Sequence, residues 1–524
     1  MRNFLFFLIN AFLTINLHAQ TSMNILVMPF ENLSSKEYSW ISAGMTDSVI
    51  GDLSKISSMS VISETDRRKV ESELVYQRNM GKDSELIQMS LASGLLADVI
   101  LSGSYTVTGE EIQIIAKLVD VRSGSTVNTA KIRGKLNDLF SLQDQVVIQL
   151  FQNTANAKVN NSNVPHIGKS EMQEIAEKPT DRIQAFEYYA KGLEKQDKNP
   201  KKALEFYKKA IKVDPDYVQA LLSAGFISGF HFDQHGEALK YLNHADEILK
   251  QRRKMHTKIY ADLMNNEGVI YKTKGELKIA LEYYLKSKNI YDVLGYNVTT
   301  GYANLLSNIA NIYEARGETD RALENYHNAK IIYEKFKLEN TDDYAVLLNN
   351  MGIAYRQKRD YTQALEYYKR SEKIQDKLGL KKTAGYSDLM NNIGYLYEKK
   401  KDPDRALEYY NKSIKIRKKL KLKNTGAFAS ILMNIGNIHN NRAQYKQAKK
   451  YYNNSKNIME DLDLQNTSSY GNLLYNIALS YDRQNYHNAA GMYYRKAYHV
   501  YVKNYGEGSS DAKDADRRAD SYGH

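Results

Sequence analysis

Apolar and polar positions between Tyr260 and Tyr505 recur at an interval of 42 residues. Within each interval, two segments carry apolar residues three and four positions apart, and a short polar stretch separates the segments. This spacing is typical of amphipathic helices, so each interval is predicted to form a pair of helices. A fixed interval of this size indicates a solenoid of stacked repeats, because one helix pair cannot bury its apolar face alone.

The same residue types occupy matching positions in six long repeats. An aromatic residue opens each repeat: Tyr260, Tyr302, Tyr344, Tyr386, Phe428 and Tyr470. Two positions after an invariant asparagine there is a small residue: Gly268, Ala310, Gly352, Gly394, Gly436 and Ala478. The second segment repeats an alanine and, four residues later, a tyrosine, as in Ala280 and Tyr284. We expect the small residues to let the two helices of a pair approach closely.

This combination of small residues, alanine and tyrosine resembles the tetratricopeptide repeat. The 42-residue form with its asparagine is similar to the repeats of kinesin light chains. The resemblance extends over residues 181–505, since two shorter repeats around Ala203 and Ala238 precede the six long ones. It implies an all-α, right-handed superhelix of about eight repeats whose concave groove binds a protein or a peptide.

The chain between residues 23 and 155 has a different pattern, in which short apolar runs alternate with segments of helical periodicity. Strands are predicted at 24–30, 59–62, 98–104, 111–121 and 126–134, and helices at 40–56, 65–78, 84–96 and 138–152. Turn signals such as Gly109-Glu110 and Arg122-Ser-Gly124 separate the later strands. This order of elements predicts a mixed α/β domain with helices packed on one sheet.

Four short motifs of this domain occur in an informative order. They are Ile25–Asn32, Ala43–Asp47, Ala97–Ser104 and Leu118–Gly124. Together they resemble the TolB amino-terminal-like group, which is also similar to the FlgO and CsgG domains. The resemblance implies an envelope-associated, non-enzymatic domain used in assembly or in protein contacts. The long membrane-inserting hairpins of the curli pore are not evident in the sequence.

The ends of the chain and the segment between the two domains are predicted from composition. Residues 1–19 resemble a signal peptide, with Arg2 followed by an apolar run and a small residue, Ala19, at the expected cleavage point. We therefore expect an exported protein, periplasmic or secreted. The polar segment 156–180 is predicted to be a linker, and the charged segment 506–524 a disordered tail.

Charge and residue content narrow the chemistry that this chain can perform. The formal net charge of +12 comes from 73 basic and 61 acidic residues spread along the chain, without the basic patch expected of a nucleic-acid-binding protein. Cysteine is absent, which excludes disulfides and thiolate sites. His231, Asp233 and His235 are interpreted as a surface turn. No catalytic motif is found, so we expect neither an enzyme nor a bound cofactor.

The asparagine at one position of each long repeat is the candidate for ligand binding. Its six copies are Asn266, Asn308, Asn350, Asn392, Asn434 and Asn476, here called the asparagine ladder. An amide side chain offers a donor and an acceptor, so it can bind an extended peptide backbone regardless of sequence. The alternative is structural, in which each amide satisfies a neighbouring helix or loop.

Two functional hypotheses follow from the sequence. The first is an exported, non-enzymatic scaffold or adaptor that binds a protein or peptide in the concave groove, in envelope assembly or secretion. The alternative is a sensory or regulatory input module that acts in trans on a signalling partner. An enzyme of unrecognised type would require a cluster of titratable side chains in a pocket of residues 23–155.

Overall fold

The computed structural model describes residues 23–56, 58–62, 67, 84–152, 158–159, 162–165, 167–297, 299–336 and 338–523. Two compact units make up the chain: an amino-terminal unit, Met1–Leu338, and a carboxyl-terminal unit, Glu339–His524. The predicted signal peptide (1–19) and nearly all of the predicted helix at 65–78 lie outside the described residues. Within the described residues, no helix combines the length and the apolar character needed to cross a membrane.

The amino-terminal unit begins with a mixed six-stranded sheet. Its strands are β1 (Met23–Val27), β2 (Glu31–Asn32), β3 (Met59–Ile62), β4 (Val99–Thr108), β5 (Glu111–Asp120) and β6 (Thr126–Lys135). The strand order is β3-β1-β4-β5-β6, and β2 also pairs with β4. Strand β1 runs parallel to β3 and β4, whereas β4, β5 and β6 are antiparallel. The predicted mixed α/β fold is confirmed.

One face of this sheet is covered by helices, as its pattern of burial shows. The described residues of this part form the helices α1 (Trp40–Leu53), α2 (Ser84–Gly94) and α3 (Leu139–Gln152). In β5, alternate residues from Ile112 to Leu118 are fully buried while the residues between them are more exposed. This period of two is expected of a strand with one face on a core. Helix α3 packs on β5 and β6, and α1 packs beside α3.

Helix pairs follow the sheet along the chain and also make up most of the carboxyl-terminal unit. Four pairs lie in the amino-terminal unit: α5 (Ile183–Lys195) with α6 (Pro200–Val213), α7 (Val218–Phe232) with α8 (His235–Gln251), α9 (Lys258–Thr273) with α10 (Leu277–Val293), and α11 (Thr300–Ala315) with α12 (Thr319–Lys335). Each pair packs on the next one along the chain. This stacking forms the predicted all-α solenoid.

The carboxyl-terminal unit contains four further pairs and one additional helix. The pairs are α13 (Asp342–Gln357) with α14 (Tyr361–Lys377), α15 (Ala384–Lys399) with α16 (Pro403–Lys419), α17 (Gly426–Asn441) with α18 (Tyr445–Asp461), and α19 (Ser468–Asp482) with α20 (His487–Tyr505). Helix α21 (Ser510–Asp520) packs against α20.

Helix α21 corrects the prediction of a disordered tail at 506–524. Its apolar stripe consists only of alanines, Ala512, Ala515 and Ala519, all of which are buried. Arg495 of α20 also forms ion pairs with Asp516 and Asp520. Alanine contributes little to an apolar pattern but has the highest helix propensity. The tail therefore forms a helix that covers the end of the last pair.

The predicted linker at 156–180 is also partly ordered. It contains the short hairpin β7 (Lys158–Val159) and β8 (Ser162–Asn163) and the helix α4 (Lys169–Ile175). Ile167 and Ile175 are buried in the same core as the sheet. Isolated apolar side chains in a polar segment give no periodic signal, so sequence pattern alone does not identify such anchoring points.

The sheet domain packs directly on the first helix pair. The ring of Phe186 in α5 lies against Gly44 of α1, where a Cβ atom would approach the ring to 2.7 Å. The same ring makes edge contacts with Phe140 and Trp40 at centroid distances of 4.7 and 6.2 Å. One continuous core therefore joins the α/β domain to the first repeats.

Candidate functional site

The small residue of the first helix in each long repeat accommodates a buried tyrosine of the second helix. A Cβ atom added at Gly352 would lie 2.4 Å from the ring of Tyr368, and one at Gly436 would lie 2.6 Å from the ring of Tyr452. Both tyrosines are almost completely buried. The expectation that small residues allow close helix approach is therefore confirmed. The same packing fixes the orientation of each first helix, and with it the position of the asparagine that this helix carries.

A second close approach uses serine. The Ser371 hydroxyl of α14 donates to the backbone carbonyl of Ala345 in α13 at 2.7 Å, and Ser455 donates to Ala429 at 2.8 Å in the same way. These serines are fully buried. The hydrogen bond satisfies the hydroxyl, which would be costly to bury without a partner. The pairs that carry this serine are thus held at two points along their length.

A repeated threonine begins the first helix of five repeats and is not among the residues predicted from the sequence. Each of these threonines accepts a hydrogen bond from the backbone N–H of the aromatic residue that opens the repeat: Thr299, Thr341, Thr383, Thr425 and Thr467. Threonine is a favoured N-cap residue. The signal was available, since Thr257 extends the same series at the interval of 42.

Stacked aromatic side chains bridge the two helices of several pairs. Tyr355 stacks on Tyr367 with ring centroids 5.3 Å apart, and Tyr397 stacks on Tyr409 at 5.5 Å. The Lys412 ammonium lies 4.6 Å from the centroid of the Tyr409 ring. Because these rings contact one another and nearby cations, they stabilise the repeat itself.

All members of the asparagine ladder lie on the first helix of their pair and are half-buried. Two of them contact the preceding repeat: Asn392 Nδ2 donates to Asn349 Oδ1, and Asn434 Nδ2 donates to Asn391 Oδ1, each at 3.2 Å. The side-chain oxygens of Asn392 and Asn434 accept no hydrogen bond among the described residues. In these two residues the amide nitrogen therefore has the structural role that the alternative predicts.

The amino-terminal unit contains a cleft of about 700 Å³ that the sequence does not reveal. One wall is formed by α1 and α3 of the α/β domain, including Asp52, Gln143 and Asp144. The other wall is formed by α5, α7 and α9, the first helices of three successive pairs, and includes Asn266 of the ladder. The remaining ladder residue of this unit, Asn308, is not among the lining residues.

Two carboxyl groups in this cleft have perturbed protonation. Burial raises the pKa of Asp52 to about 6, although its contact with Lys55 opposes the change. Burial also raises the pKa of Asp144 to about 7, and the nearby charge of Asp52 adds to the effect. Two acidic groups close together in a partly buried site indicate a place where a cation is favoured.

The structure offers no metal site within the residues that it describes. No group of three or more His, Cys, Asp or Glu side chains there has the arrangement needed to hold an ion. Of the residues predicted to form a surface turn, Asp233 lies between α7 and α8 and is exposed, whereas His231 is an exposed residue in the last turn of α7 and His235 is the partly buried first residue of α8.

Comparison with family models decides what the helix pairs are. Three models, each described as a tetratricopeptide repeat, match residues 301–377, then 387–420, and then 188–217, 429–458 and 471–499. These segments are tetratricopeptide repeats. The repeats predicted from the 42-residue interval are thereby confirmed. The matched tetratricopeptide segments all lie at or beyond residue 188, so the TolB resemblance of the amino-terminal domain stays a prediction.

Comparison with solved structures finds partial similarity to several proteins. The apo form of RapI is 17% identical, with 55% of this chain and 98% of that chain covered and a TM-score of 0.44. A Rap protein complexed with competence and sporulation factor is 12% identical, with coverage of 65% and 96% and a TM-score of 0.43. BtubC from P. vanneervenii is 19% identical, with coverage of 44% and 92% and a TM-score of 0.36.

A curated relative from Rhizobium meliloti (strain 1021) is 30% identical over 124 residues. Its name is adenylate cyclase 3, an assignment that the name itself marks as provisional. The match covers 24% of this chain and 19% of the relative, so this chain spans about a fifth of the relative's length. The tetratricopeptide segments themselves support a role as a protein-interaction scaffold.

Proposed function

We propose that this protein is an exported, non-enzymatic scaffold that holds an extended segment of a protein partner in its tetratricopeptide groove. The observation that supports the proposal is the asparagine ladder, which places a half-exposed amide at one position of six successive first helices. Side-chain oxygens of Asn392 and Asn434 without hydrogen bonds are suited to accept backbone N–H groups of a ligand.

The hydrogen bonds between adjacent repeats favour this use of the ladder. Because Asn392 Nδ2 is bonded to Asn349, the amide is held in one orientation before a ligand arrives. A preorganised acceptor loses less conformational entropy on binding than a mobile one. Backbone recognition of this kind binds extended segments with little dependence on their side chains.

The experiment is a pull-down from the envelope fraction with the full chain as bait. Replacing Asn350, Asn392 and Asn434 together with Ala should abolish partner capture and leave the helical circular-dichroism signal intact. A matched control replaces three exposed asparagines on the second helices of the same unit: Asn411, Asn453 and Asn454. Equal capture by both triple variants would exclude the groove mechanism.

The export part of the proposal rests on the signal-like residues 1–19 and on the TolB resemblance. Cell fractionation followed by amino-terminal sequencing tests it directly. We expect mature protein outside the cytoplasm, starting near Gln20. Full-length protein confined to the cytoplasm would contradict export and favour the second candidate.

The second candidate is a regulatory module that acts in trans on a signalling partner. The match to a relative named as an adenylate cyclase favours it, since that is a signalling enzyme. The purified full chain incubated with ATP should form no cyclic AMP under either proposal. Cyclic AMP formation would contradict the non-enzymatic function itself.

A further inference from the structure

The cleft of the amino-terminal unit lies along the face of its first three helix pairs that carries the ladder position. The position two residues before the small residue is Ser223 in the second pair and Asn266 in the third, and both line the cleft. Leu222 and Phe226 of α7 and Tyr189 of α5 also line it. These residues come from the first helices of three successive pairs. The wall of the cleft that the helix pairs form is therefore the side of those helices that carries Asn266 and its equivalents.

The opposite wall belongs to the α/β domain and is held in place by hydrogen bonds across the cleft. The hydroxyl of Tyr189 donates to Asp47 Oδ2 at 3.1 Å. At the other end, the hydroxyl of Tyr296, which follows α10, donates to the backbone carbonyl of Ser54. The α/β domain therefore converts an open groove into a two-walled cleft beside the first three pairs.

The α/β wall carries polar groups that have no partner among the residues that the structure describes. Gln143 is 1% exposed, and its Nε2 atom makes no hydrogen bond with any described residue. Asp144, the next residue, forms neither an ion pair nor a hydrogen bond within the described part of the chain, whereas Asp52 is paired with Lys55 at 2.9 Å. A buried amide donor without an acceptor is costly unless a ligand satisfies it.

The basic residues of the cleft are arranged differently. Lys254 is paired with Glu177 at 2.7 Å, and Lys258 is paired with Asp262 at 2.9 Å. Arg252 and Lys178, which also line the cleft, have exposed side chains. Since the cations are neutralised or hydrated while Asp144 is partly buried and unpaired, the cleft favours a cationic group over an anionic one.

An aromatic surface adjoins this site. Phe226 lines the cleft and stacks on Phe230, with ring centroids 5.2 Å apart and an interplanar angle of 12°. Phe230 is 52% exposed, which is unusual for a side chain of this size. A ligand that extends from Asp144 along α7 would bury this surface.

We propose that this cleft binds a peptide segment that carries a lysine or arginine next to an apolar residue. The cationic side chain pairs with Asp144, a backbone carbonyl accepts from Gln143 Nε2, and the apolar residue packs on Phe226 and Phe230. This inference rests on the proposed function and specifies the chemistry of the partner segment that binds the amino-terminal unit. The volume of the cleft, about 700 Å³, lies within the usual range of ligand-binding sites.

The test is selection from a phage-displayed library of random heptapeptides on the immobilised full chain. We expect the selected peptides to be enriched in Lys or Arg followed or preceded by an apolar residue. The dissociation constant of a synthesised winner should rise at least tenfold when its basic residue is replaced with norleucine, and equally with the Asp144→Asn variant. Thermal melting of Asp144→Asn confirms that the variant is folded.

Three outcomes are decisive. Selected peptides without basic enrichment, or with the same affinity for Asp144→Asn, would overturn the proposal. Basic peptides that bind the Asn350, Asn392 and Asn434 triple variant normally but not Asp144→Asn would support the cleft as a site that does not depend on those three residues. Peptides without a basic residue whose binding requires those three residues would overturn the cleft proposal and support binding by the ladder.

Discussion

Asn392 donates a hydrogen bond from Nδ2 to Oδ1 of Asn349, 3.2 Å away on the first helix of the preceding repeat. The same relationship joins Asn434 to Asn391 one repeat later. In these two asparagines of the ladder the amide nitrogen contacts the protein, and the amide oxygen has no hydrogen bond among the described residues. One side chain can therefore have both the structural role and the ligand-binding role that the sequence leaves open. Measuring the effect of a substitution on stability and on affinity separates the two roles.

Replacing Asn392 with Ala should affect binding more than stability. One half-exposed hydrogen bond contributes about 1 kcal/mol or less to the free energy of unfolding, so the melting temperature should change little. The affinity for a captured partner should fall several-fold, because a ligand loses an acceptor. Calorimetric melting and titration calorimetry measure the two quantities. A large loss of stability with unchanged affinity would show that the ladder is structural.

Introducing a Cβ atom at Gly394 should destabilise the carboxyl-terminal unit. The added atom would lie 2.7 Å from the ring of Tyr410, which must shift, and overpacking of this kind costs about 1–3 kcal/mol. The matched control is Gly385→Ala on the same helix, where no atom lies within 4 Å of the new Cβ. Urea denaturation followed by circular dichroism should show a lower midpoint only for Gly394→Ala.

Removing a threonine cap should weaken one repeat. Thr425 accepts from the backbone N–H of Phe428 at 3.3 Å and begins α17. Thr425→Ala should cost about 1 kcal/mol, whereas Thr425→Ser retains the hydroxyl and most of the stability. Hydrogen exchange of the first turn of α17 reports the effect locally. Equal protection in both variants would contradict a capping role.

Glu267 should make the amino-terminal unit less stable at alkaline pH. It is 2% exposed and occupies a position where the other long repeats have Ile or Met. Burial, with the nearby charge of Asp246, raises the pKa of its carboxyl from 4.5 to about 8. Below pH 4.5 the group is protonated in both the folded and unfolded states and imposes no penalty. Between 4.5 and about 8 only the unfolded chain loses the proton, so the free energy of unfolding falls.

The Glu267→Ile variant tests this dependence. Relative to the natural protein, its melting temperature should rise by an amount that increases from pH 4.5 to about 8 and then stays constant. Above pH 8 the free energy of unfolding of the variant should exceed that of the natural protein by a few kcal/mol, because each unit of pKa shift corresponds to about 1.4 kcal/mol. Glu267→Gln, which also cannot ionise, should lose the same pH dependence. A difference in stability between Glu267→Ile and the natural protein that does not change with pH would contradict the raised pKa of Glu267.

The repeat region was largely predictable because each repeat packs on its neighbour in the same way. The pairing of Gly352 with Tyr368 recurs at the interval of 42, so the constraint is visible as a period. Features that occur once leave no such trace. Helix α21 depends on three alanines and a few ion pairs, and α4 is anchored by a single buried isoleucine at its end, Ile175.

The sequence by itself determined the helix pairs, the sheet-forming segments and the position of the asparagine ladder. Those features follow from local periodicity and from side-chain size, which act between residues close along the chain. Tertiary structure alone decided that Gln143 and Asp144 face the same cleft as Asn266. These residues come from different domains, more than 120 positions apart, and their proximity depends on how α1 packs on α5. That contact is made once, through Gly44 and Phe186, and so no repeating pattern records it.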